Sequence, residues 1–219
     1  MSGTDDLIES LAAEAKPVRR LAPPLLRAGL WLGGCLVLFA LWLIASHRWQ
    51  PMLPRLEDSR FALELTATFL TGIAAVIAAF MISLPDRSRL WLFAPLPFLL
   101  VWLGSSGYEC YRNWITLGPD NSLVIGESFG CFKFMLGLSI PLSVALYLAM
   151  RRTRTLYPVE VMALGGLGVA ALSGALLQFF HPFDVTTMDL VFHVAAVLII
   201  VGTLSLFGRA GMRFRTPTR

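Results

Sequence analysis

The segment VMALGGLGVAALSGALLQFF, Val161–Phe180, settles what class of protein this is. It runs for 20 residues without a charged side chain, and a helix needs roughly 20 mostly apolar residues to cross the hydrocarbon core of a membrane. Backbone N–H and C=O groups find no water in lipid, so an open-ended segment satisfies them only by coiling into a helix. On either side of it, five further runs read the same way: Phe134–Met150, Leu190–Gly208 with His193 near its start, Leu90–Gly107, Phe61–Leu84 with Glu64 near its start, and Ala28–Ser46. Composition agrees. Of 219 residues, 56% are hydrophobic and only 15% charged, where soluble domains carry roughly 25%, and the mean hydropathy is +0.69. The expected fold is all-α: a polytopic membrane protein, a bundle of six transmembrane helices.

Lysine and arginine set the expected orientation. The first 16 residues are acidic and polar and lack the basic start and early apolar stretch of a signal peptide, so the amino terminus is expected to stay inside. The inside segments then hold Lys16, Arg19, Arg20, Arg27, Arg87, Arg89, Arg151, Arg152, Arg154, Arg209, Arg213, Arg215 and Arg219, which is 13 of the 18 basic residues. Arg48, Arg55, Arg60, Arg112 and Lys133 fall outside. This positive-inside bias holds loop by loop. Trp31, Trp49, Trp91, Trp102 and Trp114 lie near span ends, where amphipathic rings prefer to sit. The net charge of +4 therefore reports topology and contact with acidic membrane lipid, and calls for no direct nucleic acid. Inside loops are too short for a catalytic domain. The longer outside loops are His47–Arg60 and Tyr108–Lys133, the second with a turn signal at Gly118-Pro119-Asp120-Asn121. Gly166, Ala170 and Gly174 form a small-residue face that lets helix backbones approach.

The amino-terminal segment differs in kind. Thr4 suits an N-cap, Asp5 and Asp6 suit the first turn of a helix, and Pro17 ends it. Leu7, Ile8, Leu11, Ala12 and Ala15 share one face, with Asp6, Glu9 and Lys16 elsewhere. About three turns are marginal alone in water, so this short cytoplasmic amphipathic helix is expected to order against a partner, laying its apolar face in a groove. A helix lying on the membrane is the alternative, but those are usually rich in Lys and Arg on the polar face, and this one is acidic. The chain thus divides into a cytoplasmic segment 1–26, a membrane domain 27–208 and a basic cytoplasmic tail 209–219.

With these features the chain resembles the NrsF-like membrane anti-sigma factors of proteobacteria. The resemblance rests on Thr-Asp-Asp-Leu-Ile at positions 4–8, Pro17-Val18-Arg19-Arg20-Leu21, Phe61-Ala62-Leu63-Glu64-Leu65 at the start of span two, and Cys131 at the start of span four. It extends over essentially the whole chain, and the ordered combination carries it. The resemblance implies an inner-membrane protein with both termini cytoplasmic, whose amino-terminal segment binds an extracytoplasmic-function (ECF) sigma factor and keeps it from RNA polymerase. Carried onto this sequence, the contacts are Asp5, Asp6, Leu7, Ile8, Glu9 and Leu11. It also implies periplasmic cysteines that sense oxidative or metal stress. One departure matters: where the family places a second cysteine just after span five, this chain has His181 in Phe180-His181-Pro182.

Cys110 and Cys131 flank one outside loop, and the periplasm permits disulfides. A bond between them closes about 20 residues, a constraint of order 3 kcal/mol, against the roughly 2.7 kcal/mol that shifts an equilibrium a hundredfold. A second possibility joins Cys131 and His181, with Asp184 or Cys110, into a zinc or copper site. The plainest alternative leaves reduced thiols and a hydrogen-bonded histidine. Cys35, amid Gly33, Gly34 and Leu36, reads as a small apolar residue. Glu64, Asp189 and His193 are costly in a membrane and so candidates for function, but all lie near outer ends, where wet structural contacts suffice. Asp189 and His193, four apart, are placed to hydrogen-bond.

Two other classes stay open. Transporters show midplane polar groups or broken helices, for which Pro95/Pro97 and Gly165/Gly166 are the candidates here. A haem or redox protein wants paired histidines within the bundle, and His47, His181 and His193 all lie toward one side. No bound cofactor is expected. No nucleophile and base pair argues for an enzyme.

Overall fold

The structure is a computed structural model that describes residues 2–14, 21–47, 54–117, 125–151, 153, 155–180 and 187–211. The described residues form seven α-helices: α1 (Ser2–Glu14), α2 (Pro24–Ser46), α3 (Ser59–Ile82), α4 (Leu96–Leu117), α5 (Ile125–Met150), α6 (Pro158–Leu177) and α7 (Thr187–Gly211). Short 3-10 turns at Pro54–Glu57 and Arg89–Phe93 lead into α3 and α4. Six helices, α2 to α7, are long and apolar enough to cross a membrane, α4 together with the turn before it. The expected all-helical architecture of six spans plus a short amino-terminal helix is what forms.

Local chemistry accounts for the starts. Pro24 and Pro158 open α2 and α6 in the first turn, where a missing N–H removes no helical hydrogen bond. The Asp58 side chain caps α3 by accepting from Arg60 N at 3.0 Å. Successive spans run antiparallel. The end where α2 begins and α7 stops is here the terminal end, and the other is the distal end. Among the described residues Arg27, Arg87, Arg89, Arg151 and Arg209 lie toward the terminal end, and Arg60, Arg112 and Lys133 toward the distal one.

The apolar segment read first from the sequence lies at the centre. Its residues 161–177 lie in α6, which packs against α3, α7 and α5 and is buried at every position from 168 to 177, while residues 178–180 form the turn after it. Lipid tails are as apolar as leucine, so helices in a membrane associate through close van der Waals contact rather than by hiding from water. Glycine supplies that contact. A Cβ on Gly168 would lie 2.6 Å from Val76 Cγ2 and 3.2 Å from the Gly72 carbonyl oxygen, and one on Gly72 would lie 2.8 Å from Leu172 Cγ. On the other side of α6, a Cβ on Gly166 would stand 2.9 Å from Val201 Cα of α7. Of the small-residue face read in the sequence, Gly166 presses on α7, while Ala170 and Gly174 line a cavity.

Gly168→Ala is therefore expected to destabilise the bundle by about 1–3 kcal/mol, the usual cost of overpacking. Gly137→Ala, where a Cβ meets nothing within 4 Å, serves as the neutral control. Thermal melts of the purified proteins in one detergent check this, and equal melting of the two variants would contradict it.

Several polar side chains within the spans are satisfied locally. Thr71, Ser139 and Ser205 donate to the carbonyls four residues back at 2.7, 2.6 and 2.7 Å. At the terminal end, Arg27 donates through Nη2 to the Ala149 carbonyl and to Thr153 Oγ1, both at 2.7 Å, with its guanidinium 5.2 Å from the centre of the Phe80 ring. It ties α2 to the last turn of α5, where helix carbonyls lack internal partners. At the distal end Trp42 stacks on Phe134 and Phe180, with ring centres 5.3 and 4.9 Å away.

Candidate functional site

The amino-terminal helix forms as expected, but it starts at Ser2, so Thr4 sits in the first turn instead of capping it. Asp5 remains in that turn, where the helix dipole favours negative charge. Leu7, Ile8 and Leu11 are 57%, 60% and 59% exposed. Asp5, Asp6 and Glu9 are exposed as well. A 13-residue helix with an open apolar stripe is marginal alone. Pro17, the expected stop, lies outside the described residues.

The outside loop expected at Tyr108–Lys133 is shorter than its polarity suggests. α4 continues to Leu117 and α5 begins at Ile125. A lipid-length criterion stops at Gly107 because polar residues follow, yet the helix carries on through local bonds. Arg112 donates to the Glu109 carboxylate one turn back, at 2.5 Å, and the Thr116 hydroxyl donates to the Arg112 carbonyl at 2.9 Å. Cys110 is consequently a buried residue of α4, and Cys131 a half-buried residue of α5 packed by Met135, Leu177 and Ala196. Cys35 is buried in the core with Trp31 and Phe39. No disulfide joins the three cysteines. His181 and Asp184 lie outside the described residues. Among the described residues, no three His, Cys, Asp or Glu side chains converge to hold a metal ion.

What the sequence did not reveal is a cavity of about 700 Å³ in the distal half, between α3, α4, α6 and α7. Glu64, Asp189 and His193 all line it. The Glu64 carboxylate accepts from Ser106 Oγ at 2.5 Å, joining α3 to α4. Gln178 Nε2 donates to Thr68 Oγ1 at 3.3 Å, bringing the end of α6 to α3, and Thr68 in turn donates to the Glu64 carbonyl at 2.7 Å. Asp189 is only 3% exposed. The expected Asp189–His193 bond forms through the main chain: His193 Nδ1 lies 2.6 Å from the Asp189 carbonyl oxygen. A carbonyl only accepts, so Nδ1 carries the hydrogen in that bond. Glu109 also lines the cavity, with Arg60 at 3.8 Å and Arg112 at 2.5 Å. Cys110 lies within electrostatic reach of Glu64, Asp189 and Glu109.

Thr68, Ser106, Glu109 and Gln178 did not stand out in the sequence. The spacings Glu64/Thr68 and Ser106/Glu109 do place each pair on one helix face. Which faces meet depends on how the helices pack, which one sequence does not state.

No curated protein and no solved structure matches the chain. A family match does exist, and the six spans are in keeping with it. Residues 11–214 match the family described as NrsF, negative regulator of sigma F, and the chain belongs to that family of membrane regulators that act against a sigma factor.

Proposed function

We propose that this chain is an inner-membrane anti-sigma factor that sequesters an ECF sigma factor on α1 and releases it under oxidative or metal stress in the periplasm. The observation that carries the reading is the exposed apolar stripe of α1, Leu7, Ile8 and Leu11, on a chain whose family regulates a sigma factor negatively. An amphipathic helix laying its apolar face in a groove is a common mode of recognition, and Asp5, Asp6 and Glu9 supply acidic contacts around it. The terminal end faces the cytoplasm in this reading, supported by the arginines gathered there. The distal end then faces the periplasm, with Cys110, Cys131 and His181 as sensing residues. A Cys110–Cys131 disulfide and a metal held by Cys131, His181 and Asp184 are the two forms the switch can take.

Co-expression with an ECF sigma factor from the same genome, followed by purification from membranes, tests the contact. The full chain is expected to bring the sigma factor down, and a chain lacking residues 2–14 is expected to lose it. Equal recovery with both would exclude α1 as the contact.

A further inference from the structure

We propose that the distal cavity binds a small organic cation with an apolar body, such as an alkyl- or arylammonium or phosphonium ion. This site is separate from the α1 contact, and its test needs no sigma factor.

Size comes first. Pockets for small molecules run from about 300 to 1,000 Å³ and are largely apolar with a few placed polar groups, and this one has about 700 Å³. Charge sets the sign of the ligand. Asp58, Glu64 and Asp189 line the cavity together with Glu109, whose charge Arg60 and Arg112 offset from outside the lining, and among the described residues no lysine or arginine lines it. Negative lining in a low-dielectric wall concentrates cations and repels anions.

The arrangement favours a bulky cation over a metal ion. A metal needs oxygen ligands gathered within about 2.0–2.6 Å, whereas no three donors converge among the described residues. The carboxylates are instead held on separate helices, Glu64 to Ser106 and Glu109 to Arg60 and Arg112. Phe61 and Trp102 line the same space, and aromatic rings attract weakly hydrated cations. The remaining walls are largely apolar. Leu103 on α4 and Val194 and Leu198 on α7 line the cavity and stay exposed, so an apolar body meets apolar side chains from both helices.

Tetraphenylphosphonium is a suitable probe, because tetraphenylborate has the same shape and the opposite charge. With the purified full chain in nanodiscs, and with binding to empty nanodiscs subtracted, tetraphenylphosphonium is expected to saturate one site, with tetraphenylborate failing to compete. Glu64→Gln and Asp189→Asn are each expected to weaken binding by at least about tenfold, as loss of a charged partner in a shielded site does. Thermal melts identify variants that keep the fold. Equal binding of the two probes by the unaltered chain would overturn the proposal whether or not the variants fold. So would unchanged affinity in folded Glu64→Gln and Asp189→Asn, or displacement of the probe by manganese alone at low concentration.

Discussion

Replacing Leu7 and Leu11 together by alanine is expected to free the sigma factor while the bundle stays intact in the membrane. The two side chains are one helical turn apart on α1 and are 57% and 59% exposed, so they contribute little to the fold of this chain. In a partner's groove each contributes about 1.5–3 kcal/mol on full burial. Losing most of that at both positions amounts to about 3 kcal/mol, roughly a hundredfold in affinity. Alanine is the best helix former, so the change tests the apolar contact and not the helix. Transcription from the target promoter is expected to rise to the level seen without the anti-sigma factor. Ser10→Ala, at an exposed residue whose hydroxyl only returns to the Leu7 carbonyl at 3.0 Å, is expected to change nothing. Continued retention of the sigma factor by the double variant would show that the apolar stripe is not the grip.

Cys131→Ser is expected to abolish most of the induction produced by oxidant or thiophilic metal, since both forms of the switch use this thiol. A disulfide closing about 20 residues contributes on the order of 3 kcal/mol, about a hundredfold in the balance between holding and releasing forms. Cys110 is buried on α4 and Cys131 is half-buried among apolar side chains on α5, and α7 touches both helices. Cys35→Ser, in the core beside Trp31 and Phe39, is expected to respond like the unaltered chain. Loss in Cys131→Ser with a normal response in Cys110→Ser would favour Cys131 with His181 over the disulfide. An unaltered response in Cys131→Ser would leave both forms without support, and the sigma-binding role of α1 would stand apart from it.

The spans are legible in one sequence because the bilayer imposes a length and an apolar composition on each of them. Val161–Phe180 needed no neighbour to be recognised as a helix. Span ends are less legible, since α4 passes Gly107 through Glu109 and Arg112, residues that a lipid criterion rejects but a helix accepts. The cavity was hidden for a different reason. Glu64 and Ser106 are 42 positions apart and Thr68 and Gln178 are 110 apart, so their meeting is a property of helix packing. Glu64, Asp189 and His193 stood out as ionisable groups near the outer ends of spans, and the four-residue spacing put Asp189 with His193, yet nothing in the sequence placed Glu64 in the same space. Gly72 and Gly168 were hidden likewise, because a glycine reveals a close approach only when its neighbour is known.

If α1 grips a sigma factor inside the cell, a photo-crosslinking amino acid placed at position 7 of the full chain and activated in living cells will capture it. The expected product is an adduct containing the sigma factor that disappears once stress releases it. Crosslinks to lipid or to periplasmic protein alone would place α1 elsewhere and refute its role as the grip.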